Sequence, residues 1–365
     1  MLEKLEIFGF RSLRDIKLEL KPINVLIGAN GAGKSNLIEV FRLLKSLQNN
    51  SLQLYIGKAG GANSLLHYGA SVTHEMGVSI YVNTSENLIS YGMRLTATAG
   101  DSLIFADESV TRFEEGKSTP KQNLGTAHKE SLLNSAEYQH DLMTTAVRTQ
   151  LENSQVFHFH DTSETARLRA NCDIENHHTL MSDGSNLAAI LYKLRDIKRP
   201  YYERIVKTVR LIAPFFKDFV LKPEINPNYI QLRWRDRNSD YEFRAHQLSD
   251  GTLRTMVLIT LLLQPESDLP TLIVLDEPEL GLHPYAINII ASLIHRVSTQ
   301  TQMMLATQSS TFLDYFEPEQ VIVVEQQQGV SSFKRLEPAS LREWLEEYSL
   351  SEMWEKNVTG GHPSQ

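Results

Sequence analysis

Gly28-Ala29-Asn30-Gly31-Ala32-Gly33-Lys34-Ser35 constrains this chain more than any other stretch. It fits the pattern G-x-x-x-x-G-K-[ST] and lies between an apolar run, Ile23-Asn24-Val25-Leu26-Ile27, and an amphipathic segment, Asn36 to Leu47. The run reads as a short buried strand and the segment as a helix. Glycines at 28, 31 and 33 let the backbone turn tightly and aim successive N–H groups at phosphate oxygens, at the positive end of the following helix. Lys34 is placed to reach terminal phosphates and Ser35 to ligate magnesium. A glycine-rich turn with a chance lysine would need neither the strand before it nor the helix after it.

A second signal is Leu272-Ile273-Val274-Leu275-Asp276-Glu277-Pro278, an apolar strand that ends in two carboxylates. Asp276 suits the magnesium shell and Glu277 the polarisation of an attacking water, the arrangement phosphoryl transfer requires. The third is Leu248-Ser249-Asp250-Gly251-Thr252, which opens the apolar helix Leu253 to Leu263. Ser249 is a natural N-cap. A hydroxyl, a glycine N–H and a helix dipole at one end also make an anion site.

Composition narrows the setting. The 365 residues are 41% hydrophobic, enough for a sizeable core. With 44 acidic and 36 basic side chains the net charge is -8, so no global positive field recruits nucleic acid or anionic membrane. Any nucleic-acid contact is expected to be local. The single cysteine, Cys172, excludes an internal disulfide and fits a reducing compartment. The start Met-Leu-Glu-Lys-Leu-Glu lacks a signal-peptide pattern, and the longest apolar run, Met256 to Leu263, falls short of the ~20 residues that span a bilayer. The expected setting is cytoplasmic, without a membrane partner.

Along the chain, Leu2 to Phe8 and Ile16 to Leu20 read as strands feeding the glycine loop, and Val78 to Val82, Leu88 to Leu95 and Leu103 to Phe105 as an antiparallel sheet. Glu114 to Thr126 is loop-like and precedes a helical pattern from Glu130 to Leu151. Asn186 to Ile197 and Tyr201 to Ala213 read as helices separated at Pro200; Ile230 to Arg237 has strand period two. Helix and strand alternate thereafter: a strand at Leu272 to Leu275, a helix over Pro284 to Val297, and strands at Met303 to Ala306 and Val321 to Val324. The expected organisation is a first lobe over 1–115, a mainly helical insertion over 116–214, a second lobe over 215–347 and a tail over 348–365, all within one composite domain.

Together these motifs resemble the ABC-type ATPase heads of the RecF and SMC superfamily. Within it, the chain is similar to the compact bacterial RecF-like predicted ATPases, of the AAA family. Leu5 to Leu13 looks like that group's N-terminal strand and turn, Gly28 to Ser35 its Walker A, Leu248 to Gly251 its signature, and Leu272 to Glu277 its Walker B. Glu279 to Pro284 resembles its D-loop, and the likeness extends to Asn123–Ser131 and Trp354–Gly361. The resemblance implies an α/β P-loop NTPase of ABC-head type, with ATP and Mg2+ sandwiched between two copies. It makes Gly28, Asn30, Gly31, Gly33, Lys34, Ser35 and Asn36 the candidate nucleotide contacts in one copy, and Ser249 and Gly251 those from the other; Arg11, beside the loop, is a further candidate, with a solvated turn arginine as the alternative. Ser35 and Asp276 are the implied metal ligands; Glu277, Gln308 and Lys34 are the implied catalytic residues.

Two departures bear on rate. Asp250 and Thr252 stand where transporter-type signatures commonly carry Gly and Gln, which puts a carboxylate near the phosphates. The switch position, usually histidine, is Gln308, which can orient water but cannot become an imidazolium; slow hydrolysis is expected. Gln53 is a candidate Q-loop glutamine, and Arg254 either braces a dimer interface or faces solvent. Relatives suggest an ATP-driven switch in DNA repair or phage defence, with DNA as a candidate partner. The alternative is a low-turnover sensor or scaffold that holds a separately encoded nuclease or toxin. His158, His160, His177 and His178 loosely suggest a metal run, but a structural role is the expectation, because further ligands are missing. Arg233, Arg235 and Arg237, and Lys193, Arg195, Lys198 and Arg199, are basic stretches expected to be solvated faces.

Overall fold

The strand Ile23–Ile27 is buried along its whole length, and a sheet is assembled around it. The structure is a computed structural model that describes residues 1–84, 87–114 and 117–360. Glu115, Gly116 and Gly361, which the sequence reading touches, lie outside the described residues. The chain packs as two units: Met1–Val156 with Thr271–Val274 and Gln302–Gln365, and Phe157–Pro270 with Leu275–Thr301.

The central sheet runs Val330–Arg335, Val321–Gln327, Ile23–Ile27, Gln302–Thr307, Leu272–Asp276, Ser154–Phe157 among the described residues, all of it counted in the first unit except Leu275, Asp276 and Phe157. Gln302–Thr307 and Val321–Gln327 both lie parallel to the central strand, with Thr307 and Val323 each opposite Ile27. Strands buried on both faces read as continuous apolar runs, which is why this part was plain in the sequence. The one polar residue inside the central strand, Asn24, is fully satisfied. Its Oδ1 accepts from Lys21 N–H at 2.9 Å and Arg335 Nη2 at 2.7 Å, while its amide donates to the Lys21 and Met303 carbonyls.

The same unit holds an antiparallel sheet in the order Leu13–Glu19, Leu2–Phe10, Glu75–Asn83, Leu88–Ala97, Leu103–Glu114, Lys117–Ser118, with Gln122–Gly125 also paired to Leu103–Glu114. Leu2 and Leu5 are both buried although strict period two would put them on opposite faces. A register shift between Leu2 and Lys4 resolves this. The helix Lys34–Gln48 buries Leu37, Ile38, Val40, Phe41, Leu43, Leu44 and Leu47 in this unit's core.

The second unit is mainly helical: Leu187–Ile197, Arg199–Ile212, Asp250–Leu262 and Pro284–Val297, with a small sheet of Phe216–Phe219, Arg233–Asp236 and Glu242–Arg244. Asp250–Leu262 is apolar nearly all round and correspondingly buried.

The chain divides at Val156 and Phe157, within the stretch 116–214. The structure departs from the sequence expectations in three places. The helix expected over Glu130 to Leu151 begins only at Leu142, capped by Asp141, which accepts from Thr144 N–H at 2.8 Å. The residues before it are claimed by tertiary partners. Glu130 accepts the N–H groups of Leu52 and Gln53, and Ser131 Oγ donates to the buried Glu108 at 2.5 Å. The two helices are separate as expected, but the break falls at Lys198 rather than at Pro200, which occupies the first turn of Arg199–Ile212, where its missing N–H costs nothing. The strand expected over Ile230 to Arg237 is split into Tyr229–Ile230 and Arg233–Asp236, which pair with different partners. Among the described residues no helix is long and apolar enough to cross a membrane.

Candidate functional site

In the first unit the glycine loop joins Ile23–Ile27 to Lys34–Gln48. Gly31 and Gly33 have φ of +79° and +116°, which side-chain-bearing residues rarely adopt. Gly28 is needed for space: a Cβ there would lie 2.3 Å from the Val324 carbonyl oxygen. Lys34 is buried, and its ammonium donates to the loop's own carbonyls, Gly28 O and, at 3.0 Å, Ala29 O. Asn30, Gly31 and Ser35 are exposed at the loop's open side. Asn36 donates to Ser12 Oγ at 2.7 Å, and Arg11, with φ of +48°, reaches Asn36 Oδ1 at 3.5 Å. Arg11 is therefore held beside the loop helix by its own turn; its N–H donates to Leu65 O at 2.8 Å.

Gln308 follows directly on Thr307, whose parallel partner is Ile27. The register thus brings Gln308 and Gly28 out of the same end of neighbouring strands. Ser331, on the hairpin strand Val330–Arg335, packs under the loop, its Oγ 2.7 Å from Ser12 Oγ and 2.6 Å from Ala32 O. Beside that hairpin lies an open cleft of about 980 Å³ lined by Phe8, Arg14, His67, Tyr68, Gln327 and Ser332.

In the second unit Ser249 caps the helix Asp250–Leu262, its Oγ accepting from Thr252 N–H at 3.3 Å. Gly251 has a packing reason to be glycine: a Cβ would lie 2.3 Å from Gly281 O. The Asp250 carboxylate is paired 2.7 Å from Arg169 Nη2. Arg169 is itself buried and donates to the Thr162, Ala245 and Leu248 carbonyls. Asp276 and Glu277 end their strand half-buried, with Glu277 at φ +44°. His160 lies against both: its Nε2 is 3.1 Å from Asp276 O, and its ring nitrogens are 4.0 Å from Asp276 Oδ2 and Glu277 Oε2. Arg254 donates to three carbonyls, Phe159 O at 3.0 Å, His160 O at 2.7 Å and Leu280 O at 3.2 Å.

A family profile described as "AAA domain, putative AbiEii toxin, Type IV TA system" matches residues 23–314, most of the chain. The chain belongs to that family. Two proteins named DNA replication and repair protein RecF are also similar. The one from Renibacterium salmoninarum is 36% identical over 92 residues, 23% of this chain and 22% of its own. The one from Acidothermus cellulolyticus is 38% identical over 69 residues, 18% and 19%. The matched region spans about a fifth of the length of these curated relatives. Among solved structures, an SMC head bound to the C-winged helix domain of ScpA aligns with a TM-score of 0.60 at 16% identity, over 94% of this chain and 99% of that one. An SMC head with an extended coiled coil, bound to the C-terminal domain of ScpA from Pyrococcus furiosus, gives 0.57 at 14%, over 95% and 98%. The fold is that of an ABC-type ATPase head of the RecF/SMC kind.

In this AAA-domain chain the sequence-derived candidates fall into two groups. Arg11, the loop residues 28–36 and Gln308 share the first unit; Ser249, Gly251, Asp276 and Glu277 share the second. Two readings change. Gln53 is a structural clamp, its amide donating to Leu103 O at 3.0 Å and Lys129 O at 2.7 Å. Arg254 is an internal brace. The histidines do not form a metal group: no cluster of three or more ligating side chains occurs among the described residues. His177 pairs with His178 at 5.0 Å between rings, while His160 joins the carboxylates instead. His160 lies just past Ser154–Phe157, the sheet neighbour of Leu272–Asp276. The basic stretches are largely partnered, Arg233 with Glu224, Arg235 with Glu242, and Lys193 and Lys198 with Asp268.

Proposed function

We propose that the protein is an ATP-binding and ATP-hydrolysing switch in which two copies close over nucleotide, each loop at 28–36 being completed by Ser249 and Gly251 of the other copy. The observation that carries this is the loop itself: a helix N-terminus with forced glycines and a buried lysine whose ammonium rests on loop carbonyls, with Gln308 leaving the same sheet end. The groups present fit a polyphosphate. The first turn of a helix directs backbone N–H groups at acceptors outside it, and the lysine ammonium rests on carbonyl oxygens that phosphate oxygens can replace. The cleft beside the hairpin has the size of a small-molecule pocket and offers room for base and ribose. Arg11 and Asn36 contact the phosphates. Ser35 and Asp276 are the residues that would hold Mg2+, which when bound would neutralise charge developing on the phosphates. Glu277 orients the attacking water and Gln308 senses the terminal phosphate.

Pairing of Asp250 with Arg169 removes the bare carboxylate that would oppose phosphate at the signature. Service in DNA repair follows the RecF relatives, with DNA as partner, and service in phage defence follows the family description. The latter also favours a second reading, a low-turnover sensor holding a separate effector. Wild type and Glu277→Gln are compared for phosphate release and for size by light scattering with and without ATP. The switch predicts slow turnover in wild type, at least about tenfold less in the variant, and an ATP-dependent dimer that the variant accumulates. Equal phosphate release by the two leaves the sensor reading; a monomer under ATP removes the trans role of Ser249.

A further inference from the structure

Glu277 has the left-handed backbone, φ +44°, that L residues rarely adopt. Such a conformation persists only where neighbours over-determine it. The peptide unit that sets this angle joins Asp276 to Glu277, and its carbonyl oxygen is the atom 3.1 Å from His160 Nε2. A carbonyl can only accept, so Nε2–H is the donor. The other edge of the ring faces Glu277 Oε2 at 4.0 Å. His160 is fixed in turn by Arg254, whose guanidinium donates to the carbonyls on both sides of the Phe159–His160 bond. A third donation from Arg254 fixes Leu280 O, at the far end of the turn that Leu280 N–H closes onto Glu277 O at 3.1 Å.

We propose that His160 is a positioning residue of the ATPase: its Nε2–H holds the Asp276–Glu277 peptide and thereby aims the Glu277 carboxylate. The inference rests on the hydrolytic reading above. It accounts for a histidine brought across 116 positions of sequence onto a backbone atom rather than a carboxylate oxygen. Outer partners that orient a reacting group typically carry 10–100-fold in activity, which sets the size of effect expected, about tenfold or more.

The test compares wild type, His160→Ala, His160→Gln and His160→Asn for kcat and KM of ATP hydrolysis, affinity for a fluorescent ATP analogue, and melting temperature. His160→Ala should lower kcat by about 10–100-fold while KM stays within about twofold, the split expected when only the chemical step is touched. Glutamine has an N–H placed to reach the carbonyl and should restore most of the rate; asparagine is shorter and should not. A wild-type kcat in the alanine variant overturns the proposal. So does a raised KM at unchanged kcat, or glutamine as slow as alanine. Should the alanine variant melt below the assay temperature, glutamine against asparagine decides, and equal rates overturn the proposal. Wild type with no more turnover than Glu277→Gln removes the hydrolytic reading itself, a result separate from any in the His160 series.

Discussion

Gly31 and Gly33 look alike in the sequence and differ in what surrounds them. Around Gly31 nothing lies within 4 Å of an added Cβ, so Gly31→Ala meets only the backbone cost of φ +79°, about 1–2 kcal/mol. At Gly33 the Cβ would also fall 2.1 Å from Ser331 Oγ and 3.1 Å from Ser12 Oγ. Gly33→Ala must therefore push the loop off the hairpin beneath it. It is expected to weaken binding of a fluorescent ATP analogue by about tenfold or more, about 1.4 kcal/mol, and Gly31→Ala by clearly less. Equal losses would show that backbone conformation alone governs the loop. The loop was legible because its chemistry is local, with glycines, lysine and serine inside one turn. His160 was not, since its partner is 116 positions away and a histidine in a polar stretch looks like any other. The packing of Gly251 against Gly281 O was not legible either, because it depends on a second segment.

Elements were most legible where local signals agree with burial. Pro284–Val297 begins at a proline and carries its apolar face at helical spacing, and it forms as expected. They were least legible where a side chain from elsewhere takes over the ends, as Glu130 does for the helix at Leu52. The loop after Asp250–Leu262 shows the same tertiary control. Asp268 there accepts from Lys198 Nζ at 3.1 Å and from Ser267 Oγ at 2.9 Å, with Lys193 Nζ at 3.8 Å, clipping it to the junction of Leu187–Ile197 and Arg199–Ile212. Burial alone would raise the Asp268 pKa, but the Ser267 hydroxyl and the two lysines outweigh it and hold the carboxyl below the ordinary 3.8. A depressed carboxyl adds stability that is present above 3.8 and lost as pH falls through the folded value. Asp268→Asn should therefore unfold at lower urea than wild type at pH 7, with the gap closing on acidification below 3.8. A gap that stays constant with pH would assign the effect to hydrogen-bond shape rather than charge.

At the scale of the molecule, the candidates divide between two units, with the glycine loop in one and Ser249 in the other. The helix that Ser249 opens has Thr252 N–H satisfied locally by Ser249 Oγ and still presents its N-terminus. That suits completion of a site in a different copy, and the proposal can be checked by mixing two inactive variants. Lys34→Ala removes the lysine from every loop it enters, and Ser249→Arg removes the signature from every copy that carries it. Each alone should abolish turnover, because a two-fold dimer of either variant has the same defect in both sites. A mixed dimer collects both defects in one site and leaves the other intact. At equal concentrations half of the dimers are mixed and each has one working site, so about a quarter of wild-type turnover should return on mixing. Recovery should rise with protein concentration and vanish on dilution below the dimer dissociation constant. No recovery at any ratio would mean that Ser249 and Lys34 act within one copy.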